Sequence, residues 1–250
     1  PHPGDAINAH TRATALSAGW CWDIPLTSRT GNGYVYASGY ASADQAETEL
    51  RSHLGLLDSE VAARHLKMRV GRVEHSWSAN CLAVGLSQGF LEPLEATALH
   101  IVQATVEGFI AAFEEGDFTP RHRDAFNRSI AARYEGIRDY IVCHYRVNRR
   151  TDTPYWRDNA GNAALSDSLK AIMTCWFTGG DLVAEIARQN IASYYSPISW
   201  HCLLAGYGTF PEDARMRPVP GSDRMAAIDD FIMRCGMNFP SHRDMLAALS

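Results

Sequence analysis

Large apolar residues alternate with small or polar ones in two early stretches, GWCWDIPL at 19–26 and GYVYASGY at 33–40. That period of two predicts half-buried strands. The TSRTGNG segment between them, 27–33, predicts a hairpin turn built on its Gly and Asn. Residues 42–55, SADQAETELRSHLG, predict a helix with Ser42 as N-cap and Gln45 closing a capping box. KMRVGRVEHSW, 67–77, returns to strand, and CLAVGL, 81–86, reads as a buried strand. SQGF, 87–90, reads as a turn, and EPLEATAL, 92–99, opens a helix with Pro93 in its first turn.

From about residue 95 the pattern turns helical. An apolar-periodic helix is predicted over 96–115. The next places Phe126, Ile130, Tyr134, Ile137 and Ile141 on one face. Further helices are predicted over 163–177, 181–195 and 222–236, with FPSHRDMLAAL closing the chain. The fold class is therefore α+β: a short antiparallel sheet followed by a largely helical region, with a sheet-rich part over 1–95 and a helical part over 96–250.

The 250 residues suffice for one large domain or two small ones. The net charge of −5, with no basic stripe, excludes nucleic acid as a partner class. No apolar run has the length of a membrane span. The six cysteines are spread without C-x-x-C spacing, and no Cys/His cluster has metal-ligand spacing, so no metal site is predicted. Five sit in apolar runs, which predicts reduced, buried thiols and a cytoplasmic protein. The chain opens Pro1-His2-Pro3-Gly4-Asp5 without Met, which points to processing or to residues upstream.

The stretch 80–99 carries the chemistry. A glycine turn followed by a helix start presents unpaired amide N–H groups and so an anion site. Glu92 and Glu95, three residues apart, project near one face; simple capping by acids explains them as well as catalysis does. Trp20 and Trp22 share one strand face and either fill a core or line a functional surface.

GWCWDIP resembles the W-x-W-x-I-P signature of the flavin-dependent tryptophan halogenase family, through Trp20, Trp22, Ile24 and Pro25. GLSQGFLEPLEATAL resembles that family's F-[LI]-E-P-L-E-[SA]-T segment. RTGNGYVY, RVGRVEHSWSANC, DTPYW and SHRDML follow in the family's order. The resemblance is to roughly the second half of such an enzyme. It implies the C-terminal portion of a FAD-binding, Rossmann-type monooxygenase or halogenase fold. The N-terminal half, with its G-x-G-x-x-G turn and catalytic lysine, is not in this sequence; Lys67 and Lys170, the only lysines, match no such context.

The family implies an activity of bacterial secondary metabolism. Reduced FAD, oxygen and chloride or bromide yield hypohalous acid, which is led to the lysine and halogenates an indole or other electron-rich aromatic. On the resemblance, Glu95 is the catalytic carboxylate, and Thr97 and Ala98 offer halide-binding amides. Trp20, Trp22, Gly89, Phe90 and Pro93 face flavin or tunnel, and Tyr194, Tyr195 and Trp200 line the substrate pocket. Many members have Ser at position 96 and Gly at 98. Ala98 keeps its amide but restricts positive φ, so the turn is expected to differ there. The stretch 188–208 departs from the lid of tryptophan-specific members, which points to other indoles or aromatics. The implied partners are the missing FAD-binding half, a flavin reductase supplying FADH2 and an aromatic small molecule. The chain alone is expected to be inactive. The alternative is a non-catalytic remnant or subunit acting as a binding or assembly module.

Overall fold

The structure, a computed structural model, describes residues 8–211 and 223–249; the opening Pro1–Asp5 lies outside them. The class is α+β, with small antiparallel sheets and predominant helix. The chain divides into two units, one of residues 1–61 and 216–250, the other of 62–215.

The first unit begins with a three-stranded antiparallel sheet of β1 (Arg12–Leu16), β2 (Gly19–Pro25) and β3 (Thr30–Tyr36), with β2 central. The hairpin turn is Leu26–Arg29, closed by Leu26 N donating to Arg29 O at 2.8 Å. The Gly and Asn expected to form it lie inside β3 instead. Gly33 stands opposite Trp22, and a Cβ there would meet Trp22 Cζ2 at 1.9 Å. The glycine makes room for an indole lying across the strand. Strand β1 was not foreseen. It pairs Ala15 with Trp20 and Ala13 with Trp22.

Helix α1 (Ala43–His53) starts at Ser42 with the expected capping box. Its Glu49 accepts from Ser17 N at 2.8 Å, Ser17 Oγ at 2.6 Å and Tyr34 OH at 2.9 Å, tying the helix to the β1–β2 corner and to β3.

In the second unit the strand predicted over 67–77 reduces to β4 (Gly71–Arg72) and β5 (Trp77–Ser78). The buried strand predicted over 81–86 reduces to β6 (Cys81–Leu82), with Cys81 exposed. The alternation is present, but among the described residues only two-residue ladders, β4 with β7 (Gly89–Phe90) and β5 with β6, satisfy it. Periodicity proposes a strand; a partner decides it. Leu66, Met68 and Val70, at every second position, stay exposed.

Helix α2 (Ala98–Glu115) does not begin at Pro93. Pro93–Glu95 is a separate 3-10 turn, and Ala96 at φ 52°, in the left-handed region, breaks the chain before α2. Ala98, expected to alter the turn because it restricts positive φ, is helical, and the left-handed φ falls on Ala96. Helix α3 (Arg123–Arg146) buries Phe126, Ile130, Tyr134, Ile137 and Ile141 as its pattern predicts. They pack with Trp77 and Ile101 into one core, where Trp77 meets Phe109 edge-on at 4.8 Å. A second core joins Tyr140 and Cys143 to α5 (Asp167–Phe177), α6 (Leu182–Gln189) and α7 (Pro197–Gly206). Helix α4 (Pro154–Ala160) and α7 had not been foreseen.

The chain ends in the first unit with α8 (Asp223–Met237) and α9 (His242–Leu249). All six thiols are free, but only Cys21 and Cys143 are buried. Cys81 and Cys202 are exposed, and Cys175 and Cys235 are partly covered. The apolar runs around them supply neighbours along the chain, not a lid over each sulfur. Among the described residues no helix is long and apolar enough to cross a membrane.

Candidate active site

The segment 85–98 is held from beneath by one polar residue. Gln88 is fully buried; its Nε2 donates to Ser76 Oγ at 3.1 Å and Thr105 Oγ1 at 3.0 Å, and its Oε1 accepts from Tyr134 OH at 3.2 Å. One side chain thus joins the loop to α2 and α3 with its polar atoms satisfied. Asn127 of α3 reinforces this. It accepts from Trp77 N at 2.8 Å and donates to Trp77 O at 2.9 Å, as a neighbouring strand would. Gly89 is forced by close pairing, since a Cβ would meet Gly71 O at 2.7 Å; Phe90 pairs with Gly71 in the same ladder.

Above this foundation Glu92 and Glu95 flank the 3-10 turn that Pro93 opens. Residues three apart nearly eclipse in such a turn, and both carboxylates reach the end of α3. Tyr145 OH donates to Glu92 Oε1. His144 Nε2 lies 2.7 Å from Glu95 Oε1, with both side chains largely covered. The other imidazole nitrogen lies 3.2 Å from Tyr207 OH.

Aromatic rings surround this pair. Tyr140 stacks on Tyr195 at 3.6 Å and meets Trp200 edge-on at 4.8 Å. Burial first, then the Glu95 carboxylate, pushes the Tyr140 and Tyr195 phenols up. Trp200 is buried, yet its indole N–H and the Tyr195 hydroxyl have no partner among the described residues. Tyr194 packs on Gly136 beneath the Arg133 guanidinium, 4.9 Å from its ring centroid.

Thr97 and Ala98 form the start of α2. Helices α1, α5, α6 and α7 carry side-chain caps from Ser42, Ser166, Asp181 and Ser196. Helix α2 has neither a side-chain cap nor an acid in its first turn, so its leading amides keep their partial positive charge. His100, in the first turn of α2, is exposed, with Nε2 3.1 Å from Arg133 Nη1.

The site thus unites Glu95, Thr97 and Ala98 with Tyr194, Tyr195 and Trp200 in one unit. Trp20 and Trp22 belong to the other unit, where their rings lie 6.0 Å apart; Trp20 is buried and Trp22 partly covered. Sequence reasoning missed His144, Tyr140 and Tyr207 as neighbours of Glu95. No local motif marks them, because residues some fifty to a hundred positions apart meet only through helix packing.

A left-handed turn, a carboxylate contacted by His144, an uncapped helix start and a wall of aromatics thus lie in one unit. The model of the tryptophan halogenase family matches residues 2–219, and the chain belongs to that family. It is 38% identical over 251 aligned positions to 7-chloro-L-tryptophan 6-halogenase KtzR of Kutzneria sp. (strain 744), covering 97% of this chain and 48% of that protein. It is 31% identical to tryptophan 7-halogenase RebH of Lentzea aerocolonigenes, over 85% of this chain and 42% of that one. Among solved structures, the flavin-dependent halogenase BrvH from Brevundimonas sp. BAL3 superposes with a TM-score of 0.82 at 37% identity, covering 100% of this chain and 50% of that one. The chain spans about half the length of the curated relatives it matches.

Proposed function

We propose that this chain is the C-terminal, substrate- and halide-handling part of a flavin-dependent halogenase acting on an indole or another electron-rich aromatic. The observation that carries the reading is the placement of Glu95: a half-buried carboxylate at a strained break, held by His144 and immediately preceding the uncapped start of α2. Bound reduced flavin, with oxygen, supplies the oxidation that makes halide electrophilic. The residues here fit its anionic co-substrate, since the Thr97 and Ala98 amides begin an eighteen-residue helix without a competing carboxylate in its first turn.

Glu95 accepts the proton that the ring carbon loses as halogen takes its place. The Tyr195 hydroxyl and Trp200 N–H, without partners among the described residues, offer donors to the substrate's polar groups, and the rings around them exclude water. The remaining flavin contacts and the catalytic lysine are assigned to polypeptide beyond this chain. The exposed apolar alternation of Leu66, Met68 and Val70 supports that assignment, because such a segment is suited to strand pairing. The chain by itself is then inactive, and a flavin reductase feeds the complete enzyme.

The test is to supply the full-length gene product with reduced flavin, oxygen and bromide or chloride, and to screen simple indoles by mass spectrometry. A product in which halogen replaces hydrogen supports the reading. Flavin oxidation with every indole recovered unhalogenated refutes it.

A further inference from the structure

We propose that His144 is the positioning residue for Glu95 and that Tyr207 sets its tautomer. This rests on Glu95 being the proton-accepting carboxylate. The imidazole lies between two partners, with Nε2 2.7 Å from Glu95 Oε1 and Nδ1 3.2 Å from Tyr207 OH. An ionised carboxylate only accepts hydrogen bonds. The proposal places the ring proton on Nε2, facing Glu95, with Nδ1 accepting from the Tyr207 hydroxyl. The ring plane is fixed as well: Tyr140 meets it edge-on at 5.4 Å and 76°, and Tyr207 at 5.6 Å and 78°. Held by Tyr207 and Tyr140, the imidazole keeps Nε2 against Glu95 Oε1 at ion-pair distance, a close contact without hydrogen-bond alignment in this structure.

The neighbouring pair divides the labour. Glu92 and Glu95 bracket the same turn, and consecutive residues of α3 receive them, Tyr145 taking Glu92 and His144 taking Glu95. The Glu92 contact anchors the turn. The Glu95 contact selects one rotamer of a long side chain and commits Oε1 to it. Among the described residues Oε2 has no hydrogen-bond or ion-pair partner, so it is the oxygen left to take a proton. Tyr207 caps α7, the helix that also carries Trp200. The same element that builds the aromatic wall therefore orients, through His144, the base that acts beside it. This is a use of the C-terminal end of α3 that neither the motif around Glu95 nor the helix pattern announces.

The test uses the full-length protein with bromide, a reduced-flavin supply and indole as probe substrate, in His144→Gln, His144→Phe, Tyr207→Phe and Glu95→Gln variants. A misplaced catalytic group costs on the order of tenfold to a hundredfold in turnover. His144→Phe is expected to lower kcat by that much with KM nearly unchanged. His144→Gln, which keeps an N–H donor within reach, is expected to recover most of the loss, and Tyr207→Phe to lose less than His144→Phe. Adding His144→Phe to Glu95→Gln is expected to lower kcat no further than Glu95→Gln alone, since both act through one carboxylate. The 15N spectrum of histidine-labelled protein supplies a readout independent of turnover, with the proton expected on Nε2 of His144 and not on Nδ1.

Equal losses in the Gln and Phe variants, or a proton on Nδ1 alone, overturn the proposal. If Glu95→Gln abolishes turnover while His144→Phe is unimpaired, positioning fails and the reading of Glu95 survives. If Glu95→Gln turns over like the unsubstituted protein, the reading of Glu95 itself fails.

Discussion

Gly33 is the position where a single methyl group tests how the double-tryptophan strand is built. Its backbone is not in the left-handed region, so alanine is conformationally acceptable, but an added Cβ would lie 1.9 Å from Trp22 Cζ2, 2.2 Å from Cη2 and 2.5 Å from Cε2. These overlaps are too deep for small adjustment, so the indole must leave its seat across β3. A tryptophan buries roughly 150–250 Å² in a protein interior. Trp22 is only partly covered, so about 100 Å² is lost, or about 2.5 kcal/mol at ~25 cal/mol per Å². Replacing glycine by alanine on ordinary backbone returns about 0.5 kcal/mol by restricting the unfolded chain. Gly33→Ala should therefore destabilise by about 2 kcal/mol. In a Trp22→Ala background the clash is gone, and the same change should be neutral or slightly stabilising. Urea unfolding of the four proteins of this cycle, followed by tryptophan fluorescence and far-UV circular dichroism, measures the coupling. Additive effects would show that Gly33 is not there for Trp22.

Three further outcomes follow from buried polar groups. Gln88→Leu strips an acceptor from Tyr134 OH and a donor from Ser76 and Thr105, and should cost about 2–4 kcal/mol in urea unfolding; a loss below 1 kcal/mol, about the worth of one ordinary hydrogen bond, contradicts the network. In native protein a thiol reagent should modify exposed Cys81 and Cys202 first and leave Cys143 untouched, because burial pushes its thiol up to about 12; peptide mapping that finds Cys143 labelled without unfolding refutes this. Burial, with the Glu49 carboxylate beside it, pushes the Tyr34 phenol up to about 12. The folded state thus holds that proton more tightly than the unfolded chain, whose tyrosines titrate near 10. The stability that Tyr34 adds over Tyr34→Phe should be intact below about pH 10 and fade as pH rises through 12; a constant difference across that range contradicts it.

The elements legible in the sequence were those whose signal is local. The capping box at Ser42 and Gln45 and the apolar stripe from Phe126 to Ile141 each lie within one helix, and each formed where expected. The two family motifs were legible because their residue types are rare in that order. What failed depended on a partner distant in the chain. The alternation over 67–77 and 81–86 proposed strands, but only short ladders formed among the described residues. Gly33 resembled a turn residue until the indole of Trp22 was laid across it. The break at Ala96 was invisible, since alanine signals helix and here takes the left-handed backbone instead. Gln88 offered no pattern, and His144 was one histidine among ten.

The most direct measurement on the central claim is the turnover of Glu95→Gln and Glu92→Gln in the full-length protein, with reduced flavin, bromide and an indole that the unsubstituted enzyme halogenates. Removing a proton-accepting carboxylate costs roughly 100-fold or more. The account predicts that loss for Glu95→Gln with folding unchanged, whereas Glu92→Gln, which disturbs the Tyr145 anchor, keeps most of its turnover and unfolds at lower urea. Halogenation by Glu95→Gln at the unsubstituted rate would contradict it.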